Sequence, residues 1–531
     1  MECKVSGVGQ RYLFMLLLRF RWTFCQLETL RHCLPPSVRF ILSELPETLD
    51  ETYERILQEI PKSNQIYAHR LLQCLTVAVR PLHVEELAEV IAIEVTTPGG
   101  SPKLNEGLRW EDREQAVLSA CSSLIAIVED NYSRVVQFSH FSVKEFLTSD
   151  RLAISKHETS RYHHILLEPA HTIMAQACLG VLLHLDSEVD KKSVRNFPLA
   201  EYAAQHVGDH AEFEGVLPHI QDGVNDLLDT DKSHFAAWLW VRHLLQDQHP
   251  RRPKATPLYF IAGFGFIHLV QHLISTHPED ICARGEYGTP LHAASLHGHV
   301  EIVELLLGHY MDVDVRDFKN QTPLHVAVDH GLIDVIQMLI GHNADINAQD
   351  NNGRTPLHRI VTSVAIRPKD RDFDVARFLL EHGADPDAKD NDHSTPLHVA
   401  SYYGSVKAAQ LLLGYGANIH LQNKSGQTPL HQAVDDLQVH VEDYYLAVIG
   451  FLLEHGAEVD ALDSDNLTPL HVAAHHGSVK AAQLLLKHGA SLHLQNNEGR
   501  TPVQVAETRG DDEFTELLLE HLQNKQRSTS R

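Results

Sequence analysis

The chain has 531 residues, of which 43% are hydrophobic, so it is long enough for two or three domains that each bury a core. Its 70 acidic and 45 basic residues give a formal net charge of −25, which disfavours general binding to nucleic acid or to anionic lipid. Seven scattered cysteines without a C-x-x-C pair argue against a disulfide framework or a zinc ribbon, and they favour a reducing compartment such as the cytoplasm or the nucleus.

We assign no element to the segment 1–19. It contains the apolar run YLFMLLL at 12–18, which is far too short to span a bilayer. Arg19 and Arg21 follow at once and no small-residue cleavage site appears, so the run makes a poor signal peptide. No other segment approaches membrane-spanning length, and we predict no membrane partner.

Residues 20–150 predict a small domain of helices that a β-hairpin follows. Apolar residues at helical spacing indicate helices at about 20–60, 65–79, 81–91, 111–121 and 141–149. The stretches 124–128 and 134–138 flank a polar turn, which is typical of a hairpin. This order favours a winged-helix-like domain, and residues 151–250 predict a helical connector after it.

From residue 251 the sequence repeats a short motif. T-P-L or a near copy begins at intervals of 33 or 40 residues, at Thr256, Thr289, Thr322, Thr355, Thr395, Thr428, Thr468 and Thr501. The threonine can cap a helix whose first residue is the proline, and an amphipathic second helix follows. Gly383, Gly416, Gly456 and Gly489 then stand where a left-handed residue ends that second helix, and Asn343 takes the same place once.

One helix end and the C-terminal tail need separate predictions. Tyr310 stands at the helix-ending position of one copy, where a bulky residue is unfavourable in the left-handed conformation, so we predict a distorted helix end. The polar residues 524–531 predict a disordered tail.

The repeated residues resemble the ankyrin repeat, with a period of 33 and the patterns T-P-L-H-x-A-A and L-L-x-x-G-A-D. The resemblance covers about 251–523 and implies eight stacked repeats that bind a protein partner. The fold class predicted for the whole chain is therefore mostly α, an ankyrin-repeat solenoid preceded by a helical, winged-helix-like domain.

A longer period overlies the repeat. GSVKAAQLLL at 404–413 recurs at 477–486, which is 73 residues later, so the two-repeat units 355–427 and 428–500 look duplicated. Each unit begins with a 40-residue copy, whose seven additional residues fall near 363–372 and 436–444. They form either a lengthened surface loop or a pair of partner-contacting projections.

Four blocks of the N-terminal half resemble the segment after the nucleotide-binding core of fungal NACHT–ankyrin proteins, which are signal-transduction NTPases. They are FRWxFCQLETL at 20–30, LDETYERIL at 49–57, RPLxVEELA at 80–88 and FSHFSVKEFL at 138–147. The resemblance implies that His140 takes the place of a nucleotide-sensing histidine. However, the sequence contains no G-x-x-x-x-G-K-[S/T] loop to cradle phosphates. A packing role for His140 is therefore favoured, and His140 is a nucleotide-sensor candidate only if an NTPase core is present.

The sequence offers no catalytic or cofactor-binding pattern. H-E-x-x-H, G-x-S-x-G and catalytic-cysteine signatures are lacking, and most histidines of the second half fall at fixed repeat positions. We therefore predict no enzyme, no cofactor and no metal. Residues 21–150 carry 12 basic and 19 acidic residues, which is the wrong sign for DNA binding, so we predict no nucleic-acid partner.

The ankyrin resemblance places candidate partner contacts at the hairpin tips and at the exposed ends of the first helices. The tip candidates are Phe318, Lys319, Asn352, His393, Ser394, Lys424, Ser425, Asp465, Asn466, Asn497 and Glu498. The helix candidates are Leu296, His297, Asp329, His330, Tyr402, Tyr403, His475 and His476. The paired aromatics Tyr402 and Tyr403 suit an interface hot spot.

Two hypotheses for the function remain open at this point. In the first, the chain is a non-catalytic adaptor or sensor that binds proteins through its repeats. In the second, it is the regulatory part of a NACHT-type NTPase, either as a truncated chain or with a separate nucleotide-binding subunit. The oligomeric state does not follow from the sequence.

Overall fold

A computed structural model describes residues 48–94, 100–130, 133–243, 253–366, 369–435 and 442–529. The predictions for residues 1–47 lie outside the described residues. The contacts divide the chain into two compact units. The first ends at Pro257 and also takes in Phe266–Leu273, and the second comprises Leu258–Gly265 and the chain from Ile274.

The first unit begins with a winged-helix arrangement. Its helices and strands are α1 Leu49–Glu59, α2 Gln65–Val77, β1 Leu82–His83, α3 Val84–Glu89, β2 Ile93–Glu94, β3 Lys103–Leu104, α4 Arg113–Cys121, β4 Ile125–Asp130 and β5 Ser133–Phe138. Strands β4 and β5 form the predicted hairpin, and β1 pairs with β5 to give an antiparallel sheet of order β1-β5-β4. The order of helices followed by a hairpin confirms the winged-helix-like prediction.

Helices continue from this sheet to the end of the first unit. They are α5 Phe141–Leu147, α6 Asp150–Ala153, α7 Glu158–Tyr162, α8 Leu167–Leu182, α9 Ala200–Ala211, α10 Leu217–Leu228 and α11 His234–Arg242. Helix α8 is buried along most of its length and packs on α2, α9 and α10. It passes so close to β2 that a Cβ on Gly180 would lie 2.9 Å from the Ile93 Cγ2 atom. A larger residue there would push β2 away.

The repeats alternate inner helices, which begin at the repeated proline, with outer helices, and most of the first outer helix is counted with the first unit. The inner helices are α12 Pro257–Phe264, α14 Pro290–His297, α16 Pro323–Asp329, α18 Pro356–Ile366, α20 Pro396–Tyr402, α22 Pro429–Asp435, α24 Pro469–His476 and α26 Pro502–Arg509. The outer helices are α13 Ile267–Thr276, α15 Val300–Gly308, α17 Ile333–Gly341, α19 Asp370–Glu381, α21 Val406–Gly414, α23 Glu442–Glu454, α25 Val479–Lys487 and α27 Asp512–Thr529. From α14 onward, each inner helix packs on the next inner helix, as expected for stacked ankyrin-type repeats. In the described part of the chain, no helix is long and apolar enough to cross a membrane.

The first seven-residue insertion lengthens two helices rather than a loop. Helix α18 has 11 residues and α19 has 12, whereas α20 has seven and α21 has nine. The added turn forms because Val361 and Val364 remain buried as the helix continues. In the second insertion, residues 436–441 lie outside the described residues, and α23 is likewise long with 13 residues.

Two predictions about helix ends are wrong. Tyr310 adopts φ 60°, in the same left-handed region as Asn343 at φ 63°, so the turn is left-handed as in the other repeats and the strain falls on the tyrosine. The predicted disordered tail from 524 is instead helical as far as Thr529, because Lys, Gln and Arg extend an existing helix without a new nucleation cost.

Replacing Tyr310 by glycine is expected to raise the free energy of unfolding of the stacked ankyrin repeats by about 1 kcal/mol. Glycine relieves the left-handed strain, and little packing is lost because Tyr310 is 99% exposed. Urea unfolding followed by circular dichroism would measure the change. Asn343→Gly is the matched control and should gain less, since asparagine already tolerates this conformation. A loss of stability in Tyr310→Gly would contradict the assignment of strain.

Candidate protein-binding surface

Six histidines of the T-P-L-H motif connect each repeat to the next one. In each, the Nδ1 atom accepts from the backbone N–H of the motif threonine at 3.1–3.2 Å, so the proton lies on Nε2. The Nε2–H group then donates to a backbone carbonyl of the following repeat at 3.0–3.1 Å. The pairs are His292 with Gln321, His325 with Arg354, His358 with Ser394, His398 with Gln427, His431 with Leu467 and His471 with Arg500. We call this set the histidine ladder.

The ladder is a structural feature made of neutral imidazoles. Burial lowers the pKa of all six histidines, and the carbonyl hydrogen bond offsets this only in part. The pKa of His398 falls to about 4, and that of buried His358 is also lowered. In the part of the chain that the structure describes, no group of three or more His, Cys, Asp or Glu residues could hold a metal ion. The repeated histidines therefore make the scaffold rigid.

Aspartate or asparagine residues fix the hairpin tips. Asp390 accepts with Oδ1 from the backbone N–H groups of Asp392 and Ser394, at 2.9 and 2.8 Å. Asp463 makes the same pair of bonds one duplicated unit later. The residue two positions after this anchor is exposed at each tip: Lys319, Asn352, Asp392, Ser425, Asp465 and Glu498. Asp392 is not among the candidates from the sequence, because the ankyrin resemblance places the tip of this hairpin at the neighbouring His393 and Ser394.

The strongest sequence candidates come together in a concavity of about 230 Å³. The rings of Tyr402 and Tyr403 meet edge to face with their centroids 4.8 Å apart, and Tyr402 is 42% exposed. Asp392 and Arg354 lie on the rim, with Asp390, Thr362, Ser394, His398, Val399 and Gln432 completing the lining. We call it the tyrosine concavity.

Helices that start in the insertions support the ends of the inner helices. Tyr445 of α23 donates its hydroxyl hydrogen to the carbonyl of Tyr402 at 3.0 Å, and Arg371 of α19 donates to the carbonyl of His330 at 2.8 Å. Arg509 makes the equivalent bond to the carbonyl of His475 at 2.8 Å without an insertion. These bonds satisfy carbonyls that a helix end leaves unpaired, and they hold the ends of the inner helices in place.

A second concavity of about 780 Å³ occupies the equivalent place in the next duplicated unit. Its lining includes Asp465, His475 and His476, which lie 73 residues after Asp392, Tyr402 and Tyr403. We call it the histidine concavity. His476 is already engaged there, because its Nε2 atom lies 2.7 Å from the Asp435 Oδ1 atom, and this hydrogen bond lowers the pKa of Asp435.

Of the remaining candidates, Asn497 and Glu498 also line the histidine concavity, and the others lie outside both concavities. The carboxylate of Asp329 forms an ion pair with Arg359, and Arg359 also pairs with Asp350 at 3.1 Å. Asp329 therefore contributes to contacts within the repeats. Phe318 is 64% exposed and lies under the Arg284 guanidinium. The others are at least partly exposed on the helix ends or tips: Leu296, His297, His330, Lys319 and Lys424.

His140 lies in the winged-helix-like domain and caps helix α5. Its Nδ1 atom accepts from the Ser142 backbone N–H at 3.3 Å and lies 2.6 Å from the Ser142 hydroxyl. That hydroxyl is 2.8 Å from the hydroxyl of Tyr53, which packs on Phe146. These contacts give His140 a role in local packing.

Comparisons with known proteins match both units. The model of the family "Ankyrin repeats (3 copies)" matches residues 234–317, 312–390, 362–442 and 437–529, and the model of the GPI inositol-deacylase winged helix domain matches residues 53–157. A winged helix of this type is related to those of NACHT-type proteins.

Individual relatives cover only parts of the chain. The azaphilone pigments biosynthesis cluster protein L of Monascus ruber is 32% identical over 274 residues, which are 46% of this chain and 56% of that protein. Protein fem-1 homolog A of Danio rerio is 50% identical over 60 residues, or 10% of each chain. The crystal structure of the Bcl-3 ankyrin repeat domain is 31% identical over 43% of this chain and 97% of that one, with a TM-score of 0.38. The chain thus spans about half the length of the Monascus relative and a tenth of the fem-1 relative.

The ankyrin matches run without a gap from residue 234 to residue 529, which is more than half of the sequence. The same range contains the stacked repeats, the histidine ladder and both concavities. The protein therefore belongs to the ankyrin-repeat family.

Proposed function

We propose that the chain is a non-catalytic adaptor or sensor that holds a protein partner against the hairpin tips and inner-helix ends of its ankyrin repeats. The observation that carries the proposal is the tyrosine concavity. It presents two packed aromatic rings next to the exposed carboxylate of Asp392. Aromatic residues in a partly enclosed position are the ones that contribute most to protein–protein affinity.

The rigid scaffold supports the same proposal. The histidine ladder joins consecutive repeats, and Tyr445 supports the end of the helix that carries Tyr402. A surface that is ordered before binding loses little conformational entropy when a partner docks. An adaptor built in this way needs no catalytic group, and its specificity lies in which side chains line the concave side.

A photo-reactive benzoylphenylalanine at position 402, in the full chain expressed in its native source, is expected to cross-link a protein partner. The residue lies in the tyrosine concavity, so a docked partner would come within reach of the probe. Mass spectrometry of the adduct would identify the partner and the attached segment. The same probe at Tyr310 is the matched control, because this tyrosine is 99% exposed and lies outside both concavities. Equal labelling of partners from both positions would contradict the proposed surface.

A second candidate function is the regulatory part of a NACHT-type signal-transduction NTPase. The winged-helix match and the four blocks that resemble NACHT–ankyrin proteins favour it. The 531 residues contain no phosphate-binding loop, so the nucleotide would be bound by another segment or subunit. Intact mass and N-terminal sequencing of the protein from its native source test this candidate. A larger product that carries such a loop would support it, and a product near 59.7 kDa with no NTPase subunit bound would contradict it.

A further inference from the structure

The hairpin beside the tyrosine concavity is acidic. Residues 385–394 contain four aspartates and a single lysine. Three of the aspartates already serve the scaffold. Asp385 accepts from the Asp387 backbone N–H at 2.9 Å, Asp387 accepts from the Asn418 N–H at 2.8 Å, and Asp390 holds the hairpin turn.

Asp392 differs from these three residues. Within the described part of the chain, no hydrogen bond or ion pair of its carboxylate is found, and the residue is exposed at the rim of the concavity. Its backbone is fixed at both ends, because its N–H donates to Asp390 and its carbonyl accepts from Lys424 at 2.9 Å. The backbone that carries Asp392 is thus held in position, and its carboxylate is exposed to a partner.

The neighbouring groups define which chemistry would fit. The aromatic rings of Tyr402 and Tyr403 line the concavity, where a π-system can attract a cation, and Asp392 adds a full negative charge to the same lining. His398 in the lining is a neutral member of the histidine ladder. Arg354 is the cation of the rim, and with Asp390 and Asp392 it leaves a net charge of −1.

We propose, on the basis of the protein-binding function above, that the tyrosine concavity takes an arginine or lysine side chain from a basic, extended segment of the partner. The cation would lie against the tyrosine rings and pair with Asp392. Arginine suits the site best, since a planar guanidinium can stack on an aromatic ring and pair with a carboxylate at the same time.

The internal duplication provides a matched control site. In the histidine concavity, Asp465 takes the place of Asp392, and His475 and His476 take the places of the two tyrosines. His476 is engaged with Asp435, and Arg500 and Arg509 also line this site, so that together with Asp465 and Glu498 the lining carries no net charge. A cationic side chain should therefore prefer the tyrosine concavity over its duplicate.

Fluorescence anisotropy with the full chain would test the proposal. The probe is a fluorescein-labelled nine-residue peptide of Arg, Ser and Gly, and the matched probe has citrulline, a neutral analogue of arginine, in place of every Arg. We expect the arginine peptide to bind about tenfold more tightly. Tyr402→Ala with Tyr403→Ala should weaken its binding about tenfold, and Asp392→Asn should weaken it about fivefold. Equal affinity for the two peptides would overturn the proposal.

Three further variants separate a specific site from general attraction to an acidic protein. Arg354→Gln removes a like charge from the rim, so it should strengthen binding of the arginine peptide about twofold or more, which a loss of folding could not do. His475→Ala and Asp465→Asn in the duplicate site should change the affinity by less than about twofold. If they weaken binding as much as the tyrosine and Asp392 variants, the site is not the one proposed. The cross-link at position 402 distinguishes the two proposals. If the partner is attached there through an acidic or apolar segment, the protein-binding function is supported and the proposal of a basic partner segment is wrong.

Discussion

Replacing His358 by alanine is expected to lower the free energy of unfolding of the repeat unit by about 3 kcal/mol. The change removes two hydrogen bonds, from the Thr355 N–H to Nδ1 at 3.2 Å and from Nε2–H to the Ser394 carbonyl at 3.0 Å. The buried Thr355 N–H would be left without a partner, at about 1–3 kcal/mol. The Ser394 carbonyl still accepts from the Asp390 N–H at 3.0 Å, so its lost bond costs only about 1 kcal/mol. Urea unfolding followed by far-ultraviolet circular dichroism would measure the loss.

Because stacked repeats contact only their neighbours, the weakened junction should also separate the unfolding of the two flanking segments. A broader or biphasic urea transition would report this separation. His342→Ala is the matched control, since that histidine is exposed and bonds only to the carbonyl of Met338 in its own helix. It should change the stability by less than about 0.5 kcal/mol. A His358→Ala variant as stable as this control would show that the ladder does not hold the repeats together.

The sequence predicts the local part of the repeat well, because its physics lies within a few residues. Threonine and proline begin the inner helices as expected, as at Thr322 and Thr468, where the threonine side chain accepts from the backbone three residues later. Glycines such as Gly383 adopt the expected left-handed conformation. Each of these outcomes depends on side-chain size and hydrogen bonding that a short window of sequence contains.

Features that depend on distant residues are not predictable in this way. The ladder carbonyls lie 29 or 36 residues from their histidines, so the repeat spacing alone does not identify them. His476 and Asp329 look like free surface residues in the sequence, but their partners Asp435 and Arg359 lie 41 and 30 residues away. Asp392 is distinguished from its neighbours only by the geometry of the hairpin, which decides which carboxylates accept backbone N–H groups.

The same neutral histidines are expected to make the repeat unit less stable in mild acid. Protonation of His398 disfavours the folded state, because its pKa falls to about 4 in the fold from an ordinary value of 6.5. Its contribution is fully present above about pH 6.5 and is lost as the pH falls towards 4, since the unfolded chain binds the proton first. For His398, which is 1% exposed, the loss amounts to about 3 kcal/mol, and the other ladder histidines shift in the same direction.

Urea unfolding at a series of pH values between 7.5 and 4.5 would measure this dependence. His398→Gln is the informative comparison, because the difference between this variant and the natural chain cancels the effects of every other titrating group, including buried His163 and His210 of the first unit. The variant should be less stable at pH 7.5, but its stability should fall less steeply in acid, by about 1.4 kcal/mol per pH unit for the one proton that no longer binds. Parallel pH profiles of the two proteins would mean that His398 binds its proton equally well in the folded and unfolded chain. That result would contradict the neutral ladder. A protonated imidazole donates from both ring nitrogens and could not accept the Thr395 N–H at Nδ1.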